Sequence, residues 1–237
     1  MRALFQKGIR HGVPIGLGYL SVSFAFGIQA IAAGLTPWEA LLISMTNLTS
    51  AGQLAGIGLI ATQAPLVEMA LAQFTINLRY ALMSLSLSQK MGPDMGTGKR
   101  MIFAFGNTDE IFAVAMTQPG TLRFPYLAGL MVVPYIGWSL GTFLGAAAGS
   151  LLPVFVRNVL GIAIYGMFLA VVLPAARKDR AICVAATIAG LISLGLRYLP
   201  WAQGLSGGYR MILCAVLASC IAAALFPVPD GEEEEKP

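Results

Sequence analysis

The sequence predicts an all-α, polytopic membrane protein, and three observations carry that prediction. Of 237 residues, 57% are hydrophobic and only 11% charged, where a soluble domain carries about 25% charged residues; the mean hydropathy is +0.76. The apolar residues gather into eight segments: Val13–Ala33, Trp38–Thr62, Pro65–Ser88, Met101–Thr117, Pro125–Ser150, Leu152–Pro174, Ala181–Leu199 and Gly208–Phe226. Most approach the roughly 20 residues that a helix needs to cross a hydrocarbon core of about 30 Å. The loops between them are short, which leaves residues 1–226 as a single transmembrane domain.

The first segment follows a basic start, MRALFQKGIRH, and Ala30 to Ala33 resembles a signal cleavage site. The apolar run from Val13 to Ala33 is as long as a full span, whereas a signal's apolar region is about 7 to 15 residues, so a retained helix is expected. The second segment reads LLISMTNLTSAGQLAGIGLIATQ and places Asn47, Thr49, Ser50, Gln53 and three glycines in its middle. A break between Asn47 and Gly58 is expected there. The third holds Arg79 near its centre, where insertion costs about 2.5 to 3.5 kcal/mol. Either the long side chain snorkels to the headgroups, helped by Asn77 and Tyr80, or it pairs with an acid or a ligand carboxylate.

The fourth segment is short. It reads FAFGNTDEIFAVAM and sets Asn107, Thr108, Asp109 and Glu110 in an otherwise apolar run. Neighbours in a helix project about 100° apart, so the two acids serve different ends unless the helix breaks at Gly106–Thr108. The fifth segment repeats Gly141, Gly145 and Gly149 at every fourth position, a stripe that lets helices approach closely, whether within the chain or at a partner. The later segments carry Cys183, Cys214 and Cys220 with no CxxC pair, and His11 is the lone histidine. No metal site or cofactor is implied. PVPDGEEEEKP at the end reads as an acidic, disordered tail over residues 227–237.

Charge distribution leaves two topologies. If all eight segments cross, Lys90, Lys99 and Arg100 fall opposite the N-terminus, against the positive-inside rule. If segments two and four instead enter and leave on one side, only Arg157, Arg197 and Arg210 lie outside. That alternative has six crossings plus two re-entrant or broken helices related as inverted repeats. Both put the N- and C-termini in the cytoplasm. The net charge of +4 sits mostly at segment ends facing lipid headgroups, so no nucleic acid partner is implied. A channel would spread polar residues along several helices, and here they cluster in three. An intramembrane hydrolase would need a nucleophile–base pair or a second distant carboxylate, and neither is present. A transporter and a non-transporting assembly subunit remain.

The order of motifs resembles the AzlC family of branched-chain amino acid permeases: GLTPWEA, SAGQ, NLRY, NTDE, GWSLGTFLGA and FLAVVLP followed by ARKDR, over about residues 8 to 226. That resemblance implies a multi-pass protein of the bacterial cytoplasmic (inner) membrane that transports, usually exports, aliphatic amino acids. It also implies a much smaller membrane partner of the AzlD type. Gln53, Asn77, Arg79, Asp109 and Glu110 match the family pattern, while Tyr80 stands where many relatives have histidine.

An amino acid substrate needs donors for its carboxylate, an acceptor for its ammonium and an apolar pocket. Helix-end amides at Asn47, with Ser50, Gln53 or Arg79, are expected to supply the first, and Asn107, Asp109 or Glu110 the second. Asp109 and Glu110 are also expected to couple transport to a proton, since neighbouring carboxylates do not both ionise cheaply in a desolvated site.

Overall fold

The computed structural model describes residues 1–153, 155–156, 166, 169 and 172–227. The sixth apolar segment and the acidic tail, with Arg157, therefore fall largely outside the described residues. By internal contacts the chain forms two compact units, one from Met1–Ala64 and Ile76–Met167, the other from Pro65–Thr75 and Phe168–Pro237.

All regular elements among the described residues are helical. They are α1 (Arg2–Ala32), α2 (Pro37–Thr46), α3 (Ser50–Ala61), α4 (Leu66–Lys90), α5 (Thr97–Phe105), α6 (Asp109–Met116), α7 (Phe124–Leu151), α8 (Arg180–Tyr198), a 3₁₀ turn (Pro200–Gly204) and α9 (Gly207–Leu225). Among the described residues, only α1, α7, α8 and α9 are long and apolar enough to cross a membrane. The first helix starts at Arg2, not Val13, with its basic residues within it; the packing of Gly8 and Gly12 against α7 offsets their low helix preference.

In the first unit α1 packs against α7 along its length. A Cβ on Gly8 would lie 2.2 Å from Tyr126 O, and one on Gly27 would lie 2.2 Å from Thr142 O. Contacts advance together along both chains, so the two helices run parallel. From α7, a Cβ on Gly141 would lie 2.4 Å from Leu20 O and one on Gly145 2.0 Å from Phe24 O. The glycine stripe thus serves packing within the chain, where only a residue without a side chain allows backbones so close.

The second and fourth segments are each two short helices. Thr36 and Glu39 form a capping box at the start of α2, with Pro37 in its first turn, a combination that fixes a helix start. The chain leaves the helix at Asn47–Thr49, where both flanking residues are extended. Gln53 Nε2 then donates to Ser44 Oγ at 3.1 Å. In a straight helix these residues would be about 13.5 Å apart, so the chain bends at the break instead of running straight on. The break is narrower than expected: α3 is regular from Ser50 through its glycines to Ala61.

The other break falls at Gly106–Thr108, as the sequence leads one to expect. Lys90 Nζ donates to Met116 O at 2.5 Å, Arg100 Nε donates to Met95 O at 2.8 Å, and Gly92 N–H donates to Leu122 O at 3.0 Å. The start of α5 and the end of α6 therefore both lie beside the end of α4 and the start of α7. The core there is Leu87, Met95, Phe103, Ile111, Leu127 and Leu130.

The second unit joins α8 to α9, with Cys214 Sγ donating to Ala189 O at 3.2 Å. Glu68, buried in this unit, accepts from Gly208 N–H at 2.9 Å and from the Ser206 hydroxyl. It thereby caps the N-terminus of α9, where a negative charge is favoured.

Two predictions follow from this packing. Gly145→Ala should lower stability by about 1 to 3 kcal/mol through overpacking, whereas Gly18→Ala, where a Cβ meets nothing within 4 Å, should leave the melting temperature unchanged or raised. Equal effects at the two positions would contradict the close approach. With the native cysteines replaced, Thr97→Cys should react with an impermeant thiol reagent from the same side of the membrane as a cysteine at Arg2, since the 89–100 loop lies where α1 and α7 begin. Reaction from opposite sides would contradict the reversal at Gly106–Thr108.

Candidate functional site

Each break is made by residues whose side chains compete with the backbone for hydrogen bonds. At the first, Thr49 Oγ1 donates to Asn47 Oδ1 at 2.9 Å, which ties the loop internally and leaves the N-terminus of α3 without a side-chain cap. The Tyr135 hydroxyl donates to Met45 O at 3.2 Å and so satisfies a carbonyl that the broken helix frees. Ser50 opens α3 and is half-buried.

At the second break Gly106 sits against Met131 of α7, and Thr108 occupies the N-cap of α6 without capping it. Its hydroxyl lies 2.6 Å from Tyr19 Oη instead. Asp109 and Glu110 fill the first turn of α6, the end of a helix that favours negative charge. They diverge. Asp109 Oδ2 meets Arg79 Nη1 at 2.9 Å, toward α4. Glu110 Oε2 accepts the Tyr19 hydroxyl, toward α1. A phenol carries one proton, so with Glu110 as its acceptor the Thr108 hydroxyl donates to Tyr19.

Arg79 also donates to the Tyr80 hydroxyl at 3.1 Å and lies over that ring, 4.9 Å from its centroid. Its partner is therefore an acid of the same chain, and snorkelling is not needed to account for it. The ion pair is 47% and 44% exposed on its two sides. Asn77 is half-buried on the same helix. Asn107 is buried, donating from Nδ2 to Ser84 Oγ at 3.1 Å.

Gln53 is placed apart from these charges. It is buried, and besides its bond to Ser44 it accepts from Trp138 Nε1 at 2.9 Å; Ser44 Oγ and Thr142 Oγ1 are 2.7 Å apart. Trp138 in turn meets Tyr19 edge to face, centroids 5.1 Å apart. A line of contacts thus runs from Glu110 through Tyr19, Trp138 and Gln53 to Ser44, touching both breaks. Sequence reasoning brought out Asp109, Glu110, Arg79 and Gln53 but missed Tyr19 and Trp138. The available signal was a tyrosine in the middle of the first apolar segment, whose hydroxyl needs a partner when buried.

A family model described as AzlC protein matches residues 14–152. Inner membrane protein YgaZ of Escherichia coli (strain K12) is 27% identical over 241 residues, covering 98% of this chain and 95% of that protein. An uncharacterized membrane protein of Archaeoglobus fulgidus is 33% identical over 232 residues, covering 97% of each. No solved structure matches the chain.

The Arg79–Asp109 pair predicts a measurable coupling. Asp109→Ala and Arg79→Ala should each lower stability by an amount between the roughly 1 kcal/mol typical of exposed pairs and the roughly 3 kcal/mol of buried ones. The double variant should lose less than the sum, because the second substitution removes an already unpaired group. Thermal melts of the four proteins measure this, and strict additivity would show that the pair has no energetic role.

Proposed function

The chain belongs to the AzlC family of membrane proteins, and on that premise we propose that it is a transporter of aliphatic, branched-chain amino acids working by alternating access. The observation that best supports this reading is the second break. There Asp109 is engaged by a cation while Glu110, its neighbour, is met by a neutral phenol. One carboxylate is thus committed to an ion pair, and the other has only a neutral hydrogen-bond partner.

In this reading Glu110 binds the substrate ammonium or a proton, with Asn107 beside it as a further acceptor. Arg79 and Ser50 offer donors for the carboxylate, and Asn77 lies on the same helix as Arg79; the Asn47 amide, expected to serve as a donor, is instead given to Ile43 O at 2.9 Å. The two chain reversals enter as re-entrant hairpins from opposite faces, related as inverted repeats, which leaves six crossings. Irregular backbone at membrane depth is tolerated where protein or water surrounds it, as at a transport site. Gln53, enclosed by Trp138 and Ser44, would join the site to the first hairpin and not touch substrate.

The direction proposed is export from the cytoplasm across the inner membrane, with both termini cytoplasmic and a small AzlD-type subunit as partner. No catalytic step is assigned. Aliphatic side chains are distinguished by only about 1 to 3 kcal/mol per methylene in an apolar pocket, so several such amino acids would share the route.

Glu110→Gln tests the assignment because it keeps size and hydrogen bonding while removing charge. The protein should melt near the wild-type temperature, yet flux of leucine, isoleucine or valine in proteoliposomes should fall at least tenfold or lose its dependence on pH. Wild-type flux with an unchanged pH profile would refute the role of Glu110. If wild-type protein moved no amino acid, with or without the small subunit, the assembly-subunit alternative would take its place.

A further inference from the structure

Between the last turns of α4 and the length of α5 lies a cavity of about 200 Å³. Leu87, Met91, Met101 and Phe103 supply its apolar walls, and Ser84 and Asn107 line it as well. Asn107 is 4% exposed. One end of its amide meets Ser84 Oγ, and Oδ1 has no hydrogen-bond partner. Turning the amide over would only exchange which end is unpaired. Leaving such a group unmatched in an apolar setting is costly, on the scale of a lost hydrogen bond.

We propose that this cavity is the side-chain pocket of the transport site, with Asn107 Oδ1 accepting an N–H of the substrate ammonium and the aliphatic chain lying among Leu87, Met91 and Phe103. This deepens the transport reading and rests on it. Three features select that occupant. A lipid acyl chain would fill the walls but bring no donor to Asn107. A single water needs two to four polar partners; of the other polar residues in the lining, Ser88 Oγ is given to Leu85 O, Arg100 Nε to Met95 O, and Thr97 opens α5, more than two turns before Asn107. The volume suits a branched side chain, given that an apolar cavity of about 150 Å³ takes up benzene. At the other end Arg100 is held by Met95 O at 2.8 Å and Ser88 O at 3.5 Å, so it braces the wall. The cavity lies on the flank of α5 that leads from the 89–100 loop to the break, and its inner residue stands three positions before Glu110.

The pocket makes a size-dependent prediction that Glu110 alone does not. Ala104 lines the cavity from an exposed position, so Ala104→Leu fills it without disturbing the buried core. Melting curves of the full chain in detergent, titrated with leucine and with alanine, give apparent affinities from ligand stabilisation. Filling the pocket should weaken leucine about tenfold or more while alanine changes much less. Asn107→Leu should abolish the response to both. If Ala104→Leu does not melt cooperatively, Met101→Trp at the cavity's 70% exposed wall repeats the test. Equal leucine responses in wild type and the filled variant would overturn the pocket while leaving the transport reading intact. A raised melting temperature in Asn107→Leu with an unchanged leucine response would reduce the site to a hydrated structural amide. No response of the wild-type chain to any amino acid would remove both.

Discussion

The first unit depends on the approach of α1 to α7 at backbone distance. With side chains at Gly16, Gly137, Gly141 or Gly145 the helices would separate, since each added Cβ would fall on a facing carbonyl or side chain at under 3 Å. Their register sets Tyr19 against Trp138. From that pair a phenol reaches one break and an indole N–H reaches the other. Both interrupted segments are thus anchored to the same two helices, and each accepts a hydrogen bond that an unbroken helix would not have needed. The polar groups of the breaks are affordable in an apolar surrounding because these fixed donors are already in place.

The same geometry explains why two adjacent carboxylates take unlike surroundings. An α-helix that begins at Asp109 turns successive side chains about 100° apart, which sends one toward α4 and the other toward α1. Arg79 answers the first with a full charge, and Tyr19 answers the second with a dipole. The first carboxylate is thus engaged by a charged group and the second by a neutral hydroxyl. That asymmetry comes from helix geometry and the choice of neighbours.

Much of this was legible in the chain itself. The interruptions were written as Asn, Thr, Ser and Gly in otherwise apolar runs, and the acid pair together with Gly106 located the second break to the residue. The cost of an unmatched charge made an acid or a ligand carboxylate an expected partner for Arg79, and the structure supplies Asp109. What local reasoning could not supply was long-range register. Asn47 to Gly58 read as one loosened stretch because glycines lower helix preference, yet tertiary packing keeps α3 regular from Ser50. That Gln53 would accept from Trp138, 85 positions away, had no local signal either. Glu68 gave no periodic signal that it would cap a helix beginning some 140 residues later.

The parallel packing of α1 on α7 also has a consequence for biogenesis. About ninety positions separate Ala32 from Phe124, and at ribosomal rates of about 5 to 20 residues per second the first helix waits some 5 to 20 s for the surface that fits its glycine groove. During that interval the nascent helix presents its small-residue face to lipid or to the insertion machinery, and neither interrupted segment has both of its anchors. Membrane insertion of this chain is therefore an ordered process in which the earliest helix must wait for a partner made after both interrupted segments.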